Sequence, residues 1–543
     1  MKEYLKKISL VLATCTFLFS CDKFLEENPK DKLPEDDVYN SISEVYLNAV
    51  ASLYTYVGGY SDSQGLQGTG RGVYDLNTFT TDEAIIPTRG GDWYDGGFWQ
   101  GLFLHDWGIE NDAIQATWEY LYKVVMLSNK SLERIDKFAE THSDAELPAY
   151  RAEVRAMRAM YYYYLLDLFG RVPLVQSSSP AMKDVVQSER KTVFEFIFKE
   201  LQEVAPLLSE VHSNQSGPYY GRITRPVVTF LLAKLALNAE VYTDNDWRDN
   251  ERPDGKNIKF MVDGNELNAW ETVIYYCDQL KVMNYKLEPE YETNFSIFNE
   301  PSVENIFTIP MNKTLYTNQM QYLFRSRHYN HAKAYGLSGE NGPSATIEAL
   351  ETFGYGTAAQ DPRFDICYFA GEMYDLKGDI IKLDDGTVLV YFPWEVALDI
   401  TDTPYEQTAG ARMKKYEVDP TATKDGKLME NDIVLFRYAD ALLMKSEAKV
   451  RNGENGDVEL NQVRSRVKAA RRPATLENIL SERQLEWAWE GWRRQDLIRF
   501  GMFTRAYNSR PQLPNEETGY TTVFPIPEKI RVMNTKLVQN PGY

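Results

Sequence analysis

Hydrophobic residues recur every three or four positions along much of this chain, which is the spacing of one face of an α-helix. The clearest example is the segment 150–169, and Gly170 and Pro173 directly after it predict where that helix ends. The apolar face is formed by Val154, Met157, Tyr161, Tyr164, Leu165 and Leu168. The pattern therefore predicts a long helix with a defined end.

The same spacing predicts further helices. They lie at 111–138, 193–208, 226–242, 269–283, 433–451, 457–470 and 479–500. Several have short connections, and the small and aromatic residues of 233–241 and 270–280 follow the rhythm of tetratricopeptide-like helix hairpins. We therefore expect a mainly α fold, a tetratricopeptide-like helix-hairpin scaffold with solenoid-like pairing.

Two long segments interrupt the helical pattern. Residues 58–108 are rich in Gly, Asp and Trp, and residues 287–432 mix Gly, Pro and Tyr with a short alternating run at 387–391. Irregular segments of this length are usually functional or flexible. The aromatic residues favour ordered loops on the helical base. Within the first segment, the glycine-rich run 65–72 lacks the context of a phosphate-binding loop and is predicted to be a flexible loop.

The N-terminus carries a targeting signal. Three lysines precede an apolar run at 8–19, which is too short to span a bilayer and has the length of a signal-peptide core. The run ends in Leu18-Phe19-Ser20-Cys21, which resembles a bacterial lipobox with Cys21 as the acylated residue; an ordinary secretory signal with an incidental cysteine is the alternative. We predict a lipoprotein signal peptide at 1–20, a lipidated cysteine and tether at 21–40, and a single α-helical domain at 41–543.

Charge and composition restrict the classes of partner. The 543 residues carry a formal net charge of −20, and such an acidic surface repels phosphate backbones, so nucleic-acid binding is disfavoured. The 36 Tyr and 10 Trp are numerous, and a surplus of these rings beyond the core suits a surface that binds sugars or chains. Cys277 and Cys367 either pair or remain buried thiols.

Signatures of catalysis and metal binding are weak. The sequence lacks zinc-protease, nucleophile-elbow and Walker motifs. His328 and His331 are three residues apart without further zinc ligands, and Asp244-Asn245-Asp246 begins like a calcium loop but does not continue as one. We predict no catalytic residue and no cofactor, and a structural calcium ion bound elsewhere stays open. One array of charges is interpreted as an ion-pair network that pins a single helix to its neighbours: Glu482, Arg483, Glu486, Glu490, Arg493, Asp496 and Arg499.

A cluster in the first loop region has the composition of a sugar site. Indole and phenol rings stack on the apolar face of a pyranose, and carboxylate and guanidinium groups hydrogen-bond its hydroxyl rim. The alternative is that these rings anchor the loop to the helices. For the cluster as a whole we favour binding; its members are Asp82, Glu83, Arg89, Trp93, Tyr94, Phe98, Trp99 and His105.

Motifs along nearly the whole chain resemble those of the SusD/RagB family of Bacteroidetes nutrient-binding lipoproteins. They are Cys21-Asp22-Lys23-Phe24-Leu25-Glu26, Thr81-Asp82-Glu83, Arg155-Ala156-Met157-Arg158-Ala159, Phe169-Gly170-Arg171-Val172-Pro173-Leu174, Arg437-Tyr438-Ala439-Asp440-Ala441-Leu442-Leu443, Ser446-Glu447-Ala448, Asn461-Gln462-Val463-Arg464-Ser465-Arg466, Glu482-Arg483, Glu490-Gly491-Trp492-Arg493, Asp496-Leu497-Ile498-Arg499, Pro525-Ile526-Pro527 and Gln539-Asn540-Pro541-Gly542-Tyr543. One such motif is weak, whereas this many in the right order is specific. The chain departs from the family at Asn534-Thr535, where Asn-Pro is common.

The resemblance implies a mainly α fold, in which a tetratricopeptide-like helix-hairpin scaffold packs under a loop-rich ligand-binding half. It also implies a lipid-anchored outer-membrane protein that faces the cell exterior. Such a protein binds oligosaccharides or polysaccharides without cleaving them and delivers them to a TonB-dependent SusC-like transporter. The first alternative is the same scaffold binding peptides or glycoprotein fragments, and the second is a surface glycoside hydrolase. Family sites are aromatic arcs drawn from both loop-rich regions, although the Asp82-Glu83 motif also suits a structural role. The predicted ligand-binding residues are Asp82, Arg89, Trp93, Tyr94, Trp99, Tyr329 and Tyr335.

Overall fold

The structure is a computed structural model that describes residues 39–249 and 251–543. Within these residues the protein is mainly α-helical, as the hydrophobic spacing predicted. The predicted signal peptide, the lipid attachment site Cys21 and most of the tether lie outside the described residues. None of the described helices is long and apolar enough to cross a membrane.

The helices pack mostly in sequential pairs. In chain order they are α1 (Ile42–Val45), α2 (Ser52–Tyr54), α3 (Val73–Thr78), α4 (Phe98–Leu104), α5 (Asp112–Ala139), α6 (Leu147–Phe169), α7 (Arg190–Val204), α8 (Arg225–Leu237), α9 (Ala239–Tyr242), α10 (Ala269–Val282), α11 (Gln321–Ser326), α12 (Tyr329–Ala334), α13 (Ile347–Phe353), α14 (Phe364–Cys367), α15 (Tyr438–Asn452), α16 (Asp457–Arg466), α17 (Leu476–Trp487), α18 (Arg493–Arg499) and α19 (Glu528–Met533). A π-helical turn, Tyr46–Ala51, joins α1 to α2. Helix α5 packs on α6, α6 on α7, α8 on α10, and α15 on α10 and α16, which confirms the predicted helix-hairpin scaffold.

Helix α6 shows why the hydrophobic spacing was informative. Pro148 lies in its first turn, where backbone N–H groups have no partner within the helix, so the N–H that proline lacks costs no hydrogen bond. The helix stops at Gly170, whose φ is 68°. The helix is buried on nearly every side, including all four consecutive tyrosines at 161–164. The hydroxyls of Tyr161, Tyr162 and Tyr163 have hydrogen-bond partners inside the protein; that of Tyr162, for example, donates to the Val175 carbonyl at 3.0 Å.

The strands are short and pair two by two. In chain order they are β1 (Ala84–Ile85), β2 (Val172–Pro173), β3 (Gln187–Ser188), β4 (Lys259–Val262), β5 (Asn265–Asn268), β6 (Asn305–Ile309), β7 (Ser344–Ala345), β8 (Tyr368–Phe369), β9 (Gly371–Glu372), β10 (Val390–Tyr391), β11 (Arg412–Met413) and β12 (Ile433–Arg437). The antiparallel pairs are β1–β7, β2–β3, β4–β5, β6–β12, β8–β11 and β9–β10. The β1–β7 pair places Ala84 opposite Ala345 and so joins the first loop-rich segment to the second.

Three predicted helices are interrupted. The segment 226–242 is divided at Asn238 into α8 and α9. The segment 433–451 begins with strand β12, and helix α15 starts only at Tyr438. All five residues of β12 are buried, and the continuous apolar run from Ile433 to Phe436 suits a strand that is covered on both faces. The segment 479–500 is divided into α17 and α18, because the chain between them turns through Trp489 (φ 65°) and Gly491 (φ 73°).

The charged array therefore lies on two helices and the turn between them, and it forms a buried ion-pair network. Glu486 on α17 is 2.7 Å from Arg363 and 2.5 Å from Arg437. Arg499 on α18 donates to both carboxylate oxygens of Glu447, at 2.7 and 2.8 Å. Because an unpaired charge in this environment would be costly, the network fixes how the two helices and their neighbours pack.

Cys277 and Cys367 do not form a disulfide. Both are free and buried, and burial raises the pKa of each thiol. The sequence left open whether these cysteines form a disulfide or remain buried thiols, and the structure shows buried thiols.

Candidate functional site

The first loop region presents its aromatic residues where the backbone turns through several residues with positive φ. Arg89 and Asp92 close a tight turn, in which each backbone N–H donates to the carbonyl of the other at 3.0 Å. After the turn, Trp93 (φ 62°) and Asp95 (φ 43°) adopt positive φ values, and the two glycines that follow continue them. A left-handed conformation costs a residue other than glycine roughly 1–2 kcal/mol. Packing must therefore hold Trp93 in place, and such strain is frequent at ligand sites.

The second loop region holds Trp93. The indole N–H donates to the Glu340 carbonyl at 2.7 Å, and the ring meets that of Trp99 edge-on, with 5.7 Å between centroids. A Cβ at Gly342 would lie 2.6 Å from two atoms of the Trp93 ring, so this packing requires glycine there. The Trp93 side chain stays partly exposed. It is a fixed ring that is available to a ligand.

Two exposed tyrosines accompany Trp93. Tyr94 is 59% exposed, and Tyr329, the first residue of α12, is 42% exposed. The Tyr329 hydroxyl donates to the Asp92 carboxylate at 2.6 Å. We call Trp93, Tyr94, Tyr329 and Asp92 together the aromatic surface.

A charged pair next to Trp99 supports the aromatic surface. The Arg71 guanidinium lies 5.0 Å from the centroid of the Phe98 ring and 2.7 Å from the Asp95 carboxylate. Trp99 is itself buried and donates its N–H to Asp95 at 2.8 Å, so its role here is to position Asp95. Both charged side chains are more than a third exposed and can hydrogen-bond a ligand.

Sequence reasoning missed Arg71, Asp92 and Asp95. Arg71 belongs to the glycine-rich run that was predicted to be a flexible loop, but residues 65–70 of that run are buried. Asp92 and Asp95 flank the predicted Trp93-Tyr94 pair, and this proximity in sequence was the available signal.

Asp82 is buried in an ion-pair cluster. Its two carboxylate oxygens accept from Arg493 at 2.7 and 2.9 Å, and Arg505 donates at 3.1 Å. Burial alone raises the pKa of Asp82, but the two guanidiniums outweigh it and the pKa falls below its ordinary value. The structure therefore supports the structural role of the Asp82-Glu83 motif over direct ligand contact.

Arg89 and Tyr335 are also buried. Arg89 donates to the carbonyls of Glu406 (2.9 Å) and Ala409 (3.0 Å), and burial lowers its pKa well below the ordinary value. Tyr335 donates to the Tyr374 carbonyl at 3.2 Å. Of the predicted ligand-binding residues, Trp93, Tyr94 and Tyr329 come together at the surface, whereas Asp82, Arg89, Trp99 and Tyr335 lie beneath it or inside the protein.

The groups with the most perturbed acid–base properties face the core. Burial raises the pKa of Glu83 to about 8 and that of Asp432 to about 7, yet both side chains are almost fully buried. Burial likewise lowers the pKa of His328 to about 4 and that of His331 to about 2. Among the residues that the structure describes, no three or more His, Cys, Asp or Glu side chains form a group that could hold a metal ion.

Two family models together match most of the chain. A model described as the SusD family matches residues 303–543, and a second, described as starch-binding and associating with the outer membrane, matches residues 23–237. The chain belongs to the SusD family. The resemblance inferred from the motifs is thereby confirmed.

Named relatives agree with the SusD assignment. The starch-binding protein SusD of Bacteroides thetaiotaomicron is 25% identical, over 88% of this chain and 87% of its own. A SusD-like protein of Bacteroides ovatus is 23% identical, over 92% of this chain and 83% of its own. Among these relatives, the first is named as a binding protein and neither is named as an enzyme.

Solved structures confirm the SusD-like fold. Surface glycan-binding protein A of Bacteroides thetaiotaomicron, solved with laminarihexaose, matches with a TM-score of 0.68 at 20% identity, over 92% of this chain and 99% of its own. A SusD-like protein of Bacteroides fragilis matches with a TM-score of 0.70 at 19% identity, over 94% and 99% of the two chains. At these identities the likeness concerns the fold.

Proposed function

We propose that this protein binds oligosaccharides or polysaccharides at the aromatic surface and does not cleave them. The observation that carries the proposal is the Trp93 ring, fixed by Glu340 and Gly342 and still partly exposed beside Tyr94 and Tyr329. The names of two relatives support the ligand class: SusD is a starch-binding protein, and surface glycan-binding protein A was solved with laminarihexaose.

The chemistry of the aromatic surface suits a pyranose. Ring faces attract the C–H face of a sugar through dispersion and the ring quadrupole, and the Asp92 and Asp95 carboxylates accept from hydroxyl groups. Because Trp93 is already held in place, binding costs little further ordering of that side chain. Because the surface is open, it buries a limited area, and we expect modest affinity for each sugar segment.

We further propose that the bound glycan passes to a TonB-dependent SusC-like transporter in the outer membrane, and that a lipid on Cys21 holds the protein at the cell exterior. The description of the model that matches residues 23–237 supports the membrane association, and the lipobox-like Leu18-Phe19-Ser20-Cys21 supports the anchor. Metabolic labelling with a fatty acid, compared between the wild type and Cys21→Ser, tests the anchor. Co-purification of an outer-membrane transporter with the wild type tests the partner.

Two alternatives make different predictions. If the ligands are peptides or glycoprotein fragments, they would contact the same rings, but binding would not depend on a sugar. A glycoside hydrolase needs two carboxyl groups on either side of the scissile bond, one of them protonated near neutral pH. The pKa of Glu83 is raised to about 8 and that of Asp432 to about 7, but both side chains are buried, which argues against hydrolysis at these two residues.

The test is a titration of the mature protein, residues 22–543, with laminarin, starch and other plant, host and microbial polysaccharides. We expect binding to one glycan class, weakened at least about tenfold by Trp93→Ala or Tyr94→Ala, with unchanged polysaccharide chain length. Phe298→Ala is the matched control, because Phe298 is 67% exposed and lies outside the aromatic surface. Binding that survives both substitutions would contradict the proposed location, and binding to a casein digest but to no glycan would favour the peptide alternative.

A further inference from the structure

A cavity lined by tyrosine rings shares no residue with the aromatic surface. It has a volume of about 350 Å³ and lies between residues 46–57, the loop 220–222 and the segment 309–318. This is at the small end of the range of about 300–1,000 Å³ for small-molecule sites, so it suits a short ligand segment and not a folded domain. We call it the tyrosine pocket; its rings belong to Tyr46, Tyr54, Tyr220 and Tyr316.

The tyrosine pocket carries little net charge. Arg222 is the charged residue in its wall, and the guanidinium lies 4.7 Å from the centroid of the Tyr46 ring. The two carboxylate oxygens of Glu153 accept from Arg222 at 3.0 and 2.6 Å and so neutralise it. A paired cation among phenol rings favours a neutral, hydroxyl-bearing ligand over an anion.

Two of the tyrosines are locked by hydrogen bonds. The Tyr54 hydroxyl bonds to Glu153 and accepts the Ile223 N–H at 2.7 Å. The Tyr220 hydroxyl lies 2.7 Å from both carboxylate oxygens of Asp432. These walls are formed before any ligand arrives, so little side-chain ordering opposes binding.

The other two tyrosines keep free hydroxyl groups. Within the described residues, neither the Tyr46 nor the Tyr316 hydroxyl has a hydrogen-bond partner, and Tyr316 is 40% exposed. Tyr316 is presented by an ordered turn, because Asn312 accepts its N–H at 3.1 Å and that of Leu315 at 2.9 Å. An accessible ring on an ordered turn, with an unused hydroxyl, can both stack on a sugar and hydrogen-bond it.

We propose that the tyrosine pocket is a second binding site for a short segment of a neutral glycan. The inference rests on the proposed glycan-binding function. One loop connects the two sites, because it runs from Val57 in the wall of the tyrosine pocket to Arg71 beside the aromatic surface. The loop is tied to the end of the segment 309–318, because the side chain of the next residue, Gln319, donates to the Tyr60 carbonyl at 2.8 Å. A single polysaccharide held at both sites binds more tightly than either site alone allows.

The test is calorimetric titration with laminarihexaose and maltohexaose. We expect two sites in the wild type, one in Trp93→Ala or Tyr94→Ala, one in Tyr316→Ala, and a loss of at least about tenfold in affinity at the altered site. Tyr316→Phe keeps the ring and is expected to retain binding within about threefold. Tyr316→Ala removes no hydrogen bond of the side chain, so its melting temperature should match that of the wild type, and Phe298→Ala serves as the exposed-ring control.

The possible outcomes separate the two proposals. A single site that Trp93→Ala removes and Tyr316→Ala leaves intact overturns the tyrosine pocket while the proposed function stands. Loss of binding in Tyr316→Ala alone supports the tyrosine pocket and contradicts the aromatic surface as a site. A wild type that binds neither hexasaccharide, nor laminarin or starch, contradicts both. Density for laminarihexaose between Tyr46 and Tyr316 in a soaked crystal is the expected direct result.

Discussion

The Tyr329 hydroxyl donates to the Asp92 carboxylate across a sequence separation of 237 residues. This bond joins the start of α12 to the turn that presents Trp93. Burial, together with the bond to Asp92, raises the pKa of Tyr329 to about 12, so the hydroxyl keeps its proton at neutral pH. The aromatic surface is therefore a joint product of the two loop-rich regions.

Tyr329→Phe removes this bond and keeps the ring. We expect the affinity for laminarihexaose, or for the glycan found in the panel, to fall about threefold to tenfold, because a net hydrogen bond contributes about 0.5–1.5 kcal/mol. Calorimetry measures the loss, with Tyr94→Phe as the control, since the Tyr94 hydroxyl has no partner among the described residues. An equal loss in both variants would mean that the hydroxyls contact the ligand themselves.

Gly342→Ala tests the packing under Trp93. The added methyl group would lie 2.6 Å from the ring, so we expect Trp93 to shift, glycan affinity to fall at least about tenfold, and stability to drop by about 1–3 kcal/mol. Gly91→Ala is the matched control, because no atom outside its neighbours lies within 4 Å of that position. Unchanged affinity in Gly342→Ala would show that the position of Trp93 does not matter for binding.

Asp82→Asn separates a structural role from a ligand contact. It leaves the buried Arg493 without its charged partner, so we expect a loss of about 3–5 kcal/mol in the free energy of unfolding. The folded fraction should bind glycan within about twofold of the wild type. Chemical denaturation and calorimetry together give both numbers. A variant that is as stable as the wild type but binds poorly would restore Asp82 as a ligand-binding residue.

Glu83→Gln tests the raised pKa of that carboxyl group. The folded pKa of about 8 lies above the unfolded value of about 4.3. The contribution of protonated Glu83 to stability is therefore complete below the unfolded pKa and is lost as the pH rises through the folded pKa. Compared with the wild type, Glu83→Gln should become progressively more stable from pH 5 to pH 8 and then level off, as measured by chemical denaturation. A difference that does not change with pH would mean that Glu83 is ionised in the folded protein.

Much of the scaffold could be predicted because helices such as α6 carry their own signal in the spacing of apolar residues. The predicted helices were wrong where contacts with another part of the chain, and not local spacing, determine the structure. The segment 433–437 is a strand because β6 lies beside it, and that neighbour is not visible in local spacing. Likewise, the turn at Trp489 and Gly491 interrupts a segment whose charges alone suggested one continuous helix.

The candidate site was predicted in outline, from the types of residue in one loop. Trp93 and Tyr94 were found because large rings among glycines stand out in a sequence. The roles of Asp82 and Arg89 could not be separated from ligand contact in this way, because Asp82 accepts from Arg493, 411 positions away, and buried Arg89 donates to backbone carbonyls of a distant loop. A charged residue in a loop looks the same in sequence whether it faces a ligand or the core.

The uneven burial of the indole side chains gives this protein an internal optical probe. All ten tryptophans lie in the described residues; eight are buried, Trp93 is partly exposed and Trp394 is 46% exposed. A dissolved quencher such as acrylamide therefore reaches mainly two of them. In a Trp394→Phe form, the one emitter that a quencher meets directly would be Trp93, so protection from quenching would report occupancy of the aromatic surface without any attached label.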